Sequence, residues 1–556
     1  MARTNSNNQL QPSELTPMVM TPELRRNVDQ IRDYLYGGGY PNPVLNAEQL
    51  AFLFFFYMVE GLDADNELRA KATGQSYTSM FDGEWTLRNP LNAPVKGQET
   101  IPAEKMRWSR WQVMAGEPLV RFVRDEVFPF YAEVADRSAM NFMDGARLSI
   151  DEPTVLTQVV SLVDQLRLEE QDADTKGDLF EHVLRQIKQA GELGQFRTRR
   201  HIIRAIVEMV DPKLGETVYD PAAGTAGFLV GAYNHIRLAN SSEAGTYTVE
   251  ANGKVQKRGW GDRLSDAQNS RLQNGTFYGN DVDPAQVRLA TMNLTLRGLP
   301  NVRILRRNAL TQTLDRTQKA ELGLPLDGFD VALANPPFAG RLDKDRIVDD
   351  VKVGTSTATE LLFLKYMLGQ LKEGGRCGVI VPEGVLFGST GAHKELRRQL
   401  IDNNRVETVL SLPGGVFQPY SGVKTSVLLF TKGGSTEHVL FLNADADGFK
   451  LDANHDTPID EDDLPALVDA YRTRDECWNE WQKRDAEAEW MEKWWFADAA
   501  AIRVNDYNLS TSRYRPESHA AVEHQDPLEL LDELKAIAVE MSDEIDELSI
   551  RLREPA

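Results

Sequence analysis

Asp330-Val331-Ala332-Leu333-Ala334-Asn335-Pro336-Pro337-Phe338 is an apolar run that ends abruptly at two prolines. The run predicts a buried strand, which stops there because proline cannot donate to a strand ladder. The side-chain oxygen of Asn335 and the carbonyl of Pro336 can then face one small ligand group, while Phe338 offers an aromatic face. Two acceptors beside an aromatic ring suit an exocyclic amine on a flat ring. A simple turn that closes a strand is an equally good interpretation of Asn-Pro alone.

Strand and helix patterns alternate on both sides of this run. Six more apolar segments predict strands, at residues 216–220, 276–281, 302–306, 376–382, 406–412 and 426–431. Near-continuous apolar strands indicate burial on both faces, so we predict an α/β fold with a doubly wound, mainly parallel, Rossmann-like sheet. Ligands bind beyond the carboxyl ends of such strands. Four polar residues follow strands at that edge, namely Asp220, Asp281, Asn308 and Asn335.

A turn of small residues, Pro221 to Gly227, joins the predicted strand ending at Asp220 to a helix. Its glycines allow close backbone approach, and the start of the helix offers free N–H groups to an anionic group. Asp281 follows the next strand, where an acid can bind both hydroxyls of a ribose. Capping the following helix is its alternative role, for which Asp283 is better placed.

Thr198 precedes a helical pattern that runs through Met209. A threonine in that position predicts a helix N-cap, because its hydroxyl can accept from the first free backbone N–H groups. The start of this helix can also receive a carboxylate.

Composition limits the kinds of function that are open to the chain. With 556 residues we expect two or three domains. The net charge of -22 has the wrong sign for holding nucleic acid alone over a broad surface, so a DNA role needs a partner.

Cys377 and Cys477 lack metal-ligand spacing, and we predict neither a disulfide nor a metal site. The apolar run Leu50 to Val59 is too short to span a membrane, so we expect a cytoplasmic protein.

Several other segments receive a structural interpretation. We predict that Trp108 and Trp111 belong to a helical core and do not stack on bases. The polar stretch 239–275, with its lysines and arginine at 254, 257 and 258, is interpreted as a solvated loop and not as a DNA contact. Residues 475–495 predict one charged helix whose tryptophans pack, and residues 527–553 predict a final amphipathic helix.

The ordered set of motifs resembles the methylation (M) subunit of type I restriction-modification systems, an S-adenosylmethionine-dependent adenine-N6 DNA methyltransferase of the gamma arrangement. The resemblance covers most of the chain. It is carried by Gly177–Glu181, Gln195-Phe196-x-Thr198, Asp220–Phe228, Asn335–Phe338, Pro382–Phe387, Leu412–Phe417, Gly422–Ser426 and Asn505–Ser510.

The resemblance implies roles for individual residues. The catalytic clamp that holds the target amine is implied to be Asn335, Pro336, Pro337 and Phe338. The cofactor-binding residues are implied to be Gln195, Phe196, Thr198, Asp220, Ala222, Gly224, Thr225, Gly227, Asp281 and Asn308. Arg197, Arg199, Asn308 and Asp281 depart from the residues that the family usually has there.

Composition and sequence patterns predict a domain order, and the resemblance implies partners. We expect a disordered leader at 1–12, a helical N-terminal domain at 13–165, a methyltransferase domain at 166–445 and a helical C-terminal extension at 446–556 that docks partners. Double-stranded DNA, a specificity subunit, a second copy of this chain and an optional restriction subunit are the implied partners. Two alternatives remain open: methylation of another planar amide such as a protein glutamine, and a cofactor-binding scaffold in a defence complex that does not methylate.

Overall fold

A computed structural model describes residues 21–73, 77–87, 99–137, 143, 145–168, 171, 173–188, 198–251, 254–299, 301–418, 421–452, 455, 457–485 and 492–516. The predicted leader at 1–12, the residues Gln195 and Phe196, and the predicted final helix at 527–553 lie outside these ranges. Within the described ranges, no helix combines the length and apolarity needed to cross a bilayer.

The N-terminal part is mainly helical. Its helices are α1 Pro22–Gly37, α2 Pro43–Thr73, α3 Trp108–Trp111, α4 Gly116–Phe122, α5 Phe128–Arg137, α6 Pro153–Asp164 and α7 Ala173–Lys188. A π-helical turn, Val123–Val127, joins α4 to α5, and two short strands, β1 Glu84–Thr86 and β2 Thr100–Pro102, form an antiparallel pair.

An aromatic core holds these helices together. Phe56 of α2 stacks on Tyr131 of α5 at a centroid distance of 4.5 Å. Trp108 and Trp111 are buried in the same core, and their rings meet edge to face at 4.6 Å. The prediction that these two tryptophans serve packing is therefore confirmed.

The strands after α7 build one large sheet and two small hairpins. Their bounds are β3 Val218–Asp220, β4 Thr246–Ala251, β5 Lys254–Gly259, β6 Phe277–Asp281, β7 Arg303–Arg306, β8 Phe329–Ala334, β9 Leu371–Pro382, β10 Asn404–Ser411, β11 Thr425–Lys432, β12 His438–Asn443, β13 Asp447–Phe449, β14 Pro458–Asp462 and β15 Trp494–Asp498. The large sheet has the order β15-β12-β10-β11-β9-β8-β3-β6-β7. Only β11 and β15 run against the other strands, so the predicted mainly parallel sheet is confirmed.

Helices cover both faces of this sheet. Their bounds are α8 Arg200–Val210, α9 Gly227–Ala239, α10 Asp266–Asn274, α11 Pro284–Thr295, α12 Arg316–Glu321, α13 Thr359–Gln370, α14 Glu383–Phe387, α15 Gly391–Asn403, α16 Leu464–Arg472, α17 Arg474–Lys483 and α18 Ala499–Val504. One face packs on α8, α9 and α16, and the other packs on α13 and α15. Apolar strands such as β8, with four buried residues in succession, follow from this double cover.

Helix α11 connects the sheet to the N-terminal helices because it is apolar on two sides. Leu289 and Met292 join the N-terminal core, whereas Ala290 and Leu294 join the core on the sheet. A helix with apolar residues on all sides is buried on all sides. Leu179 and Phe180 of α7 also lie in the N-terminal core, although the predicted domain boundary places α7 with the sheet.

The solvated-loop prediction for residues 239–275 is wrong. This stretch contains the β4–β5 hairpin and α10, and the hairpin packs on α9. Lys254 donates to Asp462 at 2.7 Å, and Arg258 makes two bonds to Asp178 at 2.8 and 3.0 Å. The side chains of Lys254 and Arg258 thus pair with carboxylates of the same chain. This is a structural role, which differs from exposure to solvent and from contact with DNA.

The single helix predicted over 475–495 is also wrong. Helix α17 ends at Lys483, and Trp494 and Trp495 belong to β15, which pairs with β12 at the edge of the large sheet. Both tryptophans are buried there. Aromatic residues favour strands. The short edge strand was missed because the charged residues before it are typical of a helix.

Candidate active site at the carboxyl edge of the sheet

Asn335 lies immediately after the carboxyl end of β8, as the Pro-Pro sequence predicts. Its Nδ2 donates to the hydroxyl of Thr198 at 3.0 Å. Its Oδ1 is buried and has no hydrogen-bond partner among the described residues. A buried acceptor without a partner costs about 1–3 kcal/mol. A ligand that brings an N–H group to this oxygen would remove that cost.

Thr198 has a different role from the predicted one. Helix α8 begins at Arg200 with Arg199 as its N-cap, and no side chain caps it. The N-cap prediction for Thr198 is therefore wrong: its hydroxyl faces the amide of Asn335. Nothing in the local sequence around Thr198 indicates a contact with a residue 137 positions away.

Phe338 packs deeper than a freely exposed stacking face would. It is 8% exposed, and its ring meets that of Phe417 edge to face at 5.8 Å. Phe417 closes the Leu412–Phe417 motif, to which the sequence alone assigns no role. The two rings form an aromatic wall beside Asn335. Pro336 is buried under it and Pro337 is exposed.

Asp220 ends β3 and is almost completely buried. Its Oδ1 accepts from the backbone N–H of Ala222 at 3.0 Å, which forms the turn that the small residues predict. Burial is the main cause that raises the pKa of Asp220 to about 8; the Ala222 bond opposes this shift and the nearby charge of Asp281 adds to it. The carboxyl is therefore protonated at neutral pH.

Asp281 ends β6 and faces the same turn. Its two oxygens accept from the backbone N–H groups of Gly224 and Asp283, each at 3.0 Å. Burial raises its pKa, and these two bonds oppose that shift. The predicted capping role of Asp283 is confirmed, since its side chain accepts from the N–H of Ala285 at the start of α11.

The glycines of the turn serve two different needs. Gly224 has a φ of +52° and open space where a side chain would stand, which suits close approach of a ligand. At Gly227 a side chain would come within 2.9 Å of Ile203, so this glycine lets α9 pack on α8. Thr225 contributes its carbonyl, which accepts from Asn293 at 2.7 Å.

Asn308 follows β7 at the same edge of the sheet. Its Oδ1 accepts from the N–H of Leu310 at 3.0 Å, and its own N–H donates to Gln312. The side-chain oxygen of Asn308, a residue that the resemblance assigns to the cofactor, therefore already accepts a hydrogen bond within a local turn.

A buried network beneath the turn escapes sequence analysis. The hydroxyl of Tyr219 donates to Asn280, whose Nδ2 donates to the carbonyl of Pro221 at 2.8 Å. The hydroxyls of Tyr219 and Tyr366 lie 2.8 Å apart, and Arg307 donates to Tyr366. Burial raises the pKa of both tyrosines, so they stay neutral and act as hydrogen-bonding groups that hold Pro221.

The Gly177–Glu181 motif supports the site from outside. Glu181 accepts from Arg200 and from Arg297, the latter at 3.2 Å. A side chain at Gly177 would come within 2.6 Å of Arg297. This motif therefore holds the start of α8 and the end of α11 in place.

Comparison with known proteins agrees with this geometry. The model of the N-6 DNA Methylase family matches residues 171–523, which is more than half of the chain. The methylase subunit of the type I restriction enzyme EcoEI from Escherichia coli is 28% identical over 403 residues, covering 68% of this chain and 74% of that protein. The methylase subunit of type I restriction enzyme EcoKI, from Escherichia coli strain K12, is 28% identical over 442 residues and covers 75% and 77%.

One solved structure is similar over nearly the whole chain. It describes complex assembly and conformational transition of a type I restriction-modification system, and it superposes with a TM-score of 0.65. The identity is 25%, and the match covers 97% of this chain and all of that one. Both the family match and the fold extend through the strand ends that carry Asp220, Asp281 and Asn335, and the chain belongs to the N-6 DNA Methylase family.

Proposed function

We propose that this chain transfers a methyl group from S-adenosylmethionine to the N6 amine of an adenine in DNA, as the modification subunit of a type I restriction-modification complex. Family membership supports the adenine-N6 reaction, and the names of the relatives support the type I role. The observation that carries the proposal is the buried, unpartnered Oδ1 of Asn335 beside an aromatic wall.

The target adenine must leave the DNA helix, because a stacked base cannot bring its amine into a site at a sheet edge. Phe338 then holds the face of the base. Asn335 Oδ1 and the Pro336 carbonyl accept the N6 hydrogens, which concentrates the nitrogen lone pair on the attacking atom. The new C–N bond would replace the bond between the methyl carbon and the sulfonium sulfur, which leaves a neutral thioether, and one N6 proton would pass to water. These groups act by positioning and by preorganised polarity.

The residues at the sheet edge fit the proposed cofactor. Gly224 leaves open space above a left-handed turn, whose backbone N–H groups donate to the buried carboxyl of Asp220 and the half-buried carboxyl of Asp281. When bound, S-adenosylmethionine supplies an electrophilic methyl group on a sulfonium centre. We assign Ala222, Gly224, Thr225 and Gly227 to the loop that receives it, together with Asn308 and the segment containing Gln195, Phe196 and Thr198.

The charge of the chain supports a complex in which another subunit binds the DNA. A net charge of -22 disfavours unaided binding to a polyanion. We infer that a separate specificity subunit reads the DNA sequence, with two copies of this chain in the complex and an optional restriction subunit. A DNA substrate implies the cytoplasm as the place of action.

A transfer assay with methyl-labelled S-adenosylmethionine tests the proposal. The chain is purified with the partner subunits encoded beside its gene, and DNA from a host without that gene is the substrate. The proposal predicts label on adenine N6, and a loss of about 100-fold or more for Asn335→Ala. Asn301→Ala is the matched control, since Asn301 is exposed and bonds only to Asn274 among the described residues.

Three results would count against the proposal. Label on another base or on protein would reject the adenine reaction. Equal label in the Asn335→Ala and wild-type complexes would reject the assignment of this asparagine. Cofactor binding by calorimetry without any transfer would favour a scaffold that does not methylate.

A further inference from the structure

Three polar side chains, those of His201, Asp447 and His455, form a buried cluster. Nε2 of His201 in α8 lies 2.8 Å from one oxygen of Asp447, and Nε2 of His455 lies 2.9 Å from the other, both at hydrogen-bond distance. The side chains of Asp447 and His455 are fully buried, and that of His201 is 10% exposed. The three residues come from α8, from β13 and from the segment that follows β13.

One end of this cluster reaches the Asn335 side of the pocket. His201 lies three positions after Thr198, whose hydroxyl accepts from Asn335. The ring of His201 also stacks on Phe449 at 4.5 Å, so it is held from two directions. Fixing His201 therefore fixes the start of α8 and the Thr198 hydroxyl with it.

The other end reaches the aromatic wall. His455 donates from Nδ1 to the carbonyl of Val416 at 3.2 Å. The next residue, Phe417, meets Phe338 edge to face. Arg199 adds a direct bond between the two sides, because it donates to the carbonyl of Gln418 at 3.3 Å.

We propose that Asp447 is a positioning residue for methyl transfer, which holds the start of α8 and the aromatic segment 412–418 at a fixed separation around the Asn335 amide. This inference rests on the proposed function for its catalytic part. A carboxylate that accepts two hydrogen bonds in a buried site makes strong, directional contacts. Asparagine has nearly the same shape, but it carries no negative charge and has a single acceptor oxygen, so it cannot accept from both histidines.

The same three side chains could instead share a metal ion, since their ligand atoms lie within 4.8 Å of one another. The contacts favour hydrogen bonds. Each oxygen of Asp447 pairs with a different histidine, and His455 uses its second nitrogen on Val416. Metal analysis of the purified chain separates the two accounts.

The test compares Asp447→Asn with Asp462→Asn, a control on the neighbouring strand whose side chain pairs with Lys254. Hydrogen exchange of the isolated full chain is the first measurement. We expect exchange of 198–204 and 412–418 to rise about 10-fold or more in Asp447→Asn only, because the bonds that tie them are lost. His455→Gln keeps a donor toward Asp447 and loses the Val416 bond, so it should release 412–418 alone.

Single-turnover methylation by the assembled complex is the second measurement. Asp447→Asn should slow transfer at saturating cofactor by about 100-fold. Unchanged exchange, or an unchanged rate in a methylating complex, would overturn the positioning role. One equivalent of metal per wild-type chain, absent from Asp447→Asn, would also overturn it. A wild-type complex that methylates nothing rejects the proposed function, while the exchange measurement still decides whether Asp447 ties the two segments.

Discussion

The amide nitrogen of Asn335 donates to the hydroxyl of Thr198 at 3.0 Å, while the amide oxygen is buried without a hydrogen-bond partner among the described residues. Thr198→Val keeps the shape of the side chain and removes the acceptor, so the amide loses its fixed orientation. We expect methyl transfer at saturating cofactor to fall about 10-fold, in line with one lost hydrogen bond. Thr198→Ser should retain nearly full activity. Equal rates in the valine and serine variants would show that Thr198 does not orient the amide.

Phe338 provides the ring in the proposed grip on the target base. Phe338→Leu keeps an apolar side chain against Phe417 but removes the aromatic face, which is worth about 1–3 kcal/mol for a stacked base. Single-turnover methylation should therefore slow by about 10- to 100-fold, whereas Phe338→Tyr should stay active. Thermal melting confirms that both variants fold. A leucine variant as fast as the tyrosine variant would remove base stacking from the mechanism.

Asp220 gives the stability of the chain a defined pH dependence. Burial raises its pKa from 3.8 in the reference state to about 8 in the fold, so the folded protein holds this proton more tightly. Its contribution to the free energy of unfolding therefore falls as pH rises from about 4 to about 8. Asp220→Asn has no ionisable group at this position, so its stability does not change in this way. Its melting temperature relative to that of the wild type should therefore rise as the pH increases from 5 to 8.

Asp463→Asn is the control for that series. Burial opposes the shift, but the bond from Lys493 lowers the pKa of Asp463. Its stabilising effect is lost only as pH falls below the ordinary carboxyl range, so the difference from wild type should be constant between pH 5 and pH 8. A constant difference for Asp220→Asn as well would contradict the raised pKa.

Gly177 tests the scaffold around α8. In Gly177→Ala the new methyl group would stand 2.6 Å from the buried side chain of Arg297, which bonds to Glu181. We expect a loss of about 1–3 kcal/mol in the free energy of unfolding, measured with urea. Gly369 is the matched control, because it lies in α13 with open space around it. Gly369→Ala should be neutral or stabilising by up to about 1 kcal/mol. If Gly177→Ala is equally stable, the contact with Arg297 does not restrict the residue at position 177.

Much of the fold follows from local sequence patterns. The Asp330–Phe338 run and the six other predicted strands are all present, although β9 starts at Leu371 instead of residue 376. Apolar periodicity suffices for these elements because both faces of the sheet are covered. It fails at β15, where two tryptophans follow a charged stretch, and at the β4–β5 hairpin, whose polar residues make internal ion pairs.

The candidate site is only partly readable from sequence. Strand ends place Asp220, Asp281, Asn308 and Asn335 at one edge, since parallel strands end together. The contacts of Thr198 with Asn335 and of Asp447 with His201 join residues 137 and 246 positions apart, and no local pattern encodes them. The roles of the cofactor-loop residues remain predictions, and Gln195 and Phe196 lie outside the described residues.

Single-molecule sequencing of modified adenines in cellular DNA measures whether methylation depends on Asn335. DNA is compared from cells that carry this gene with its chromosomal neighbours and from cells that carry the Asn335→Ala version. The account predicts N6-methyladenine at a discrete sequence motif in the first sample and its loss in the second. If the same adenines are marked in both samples, or if none is marked in either, the proposed role of Asn335 in adenine-N6 methylation is contradicted.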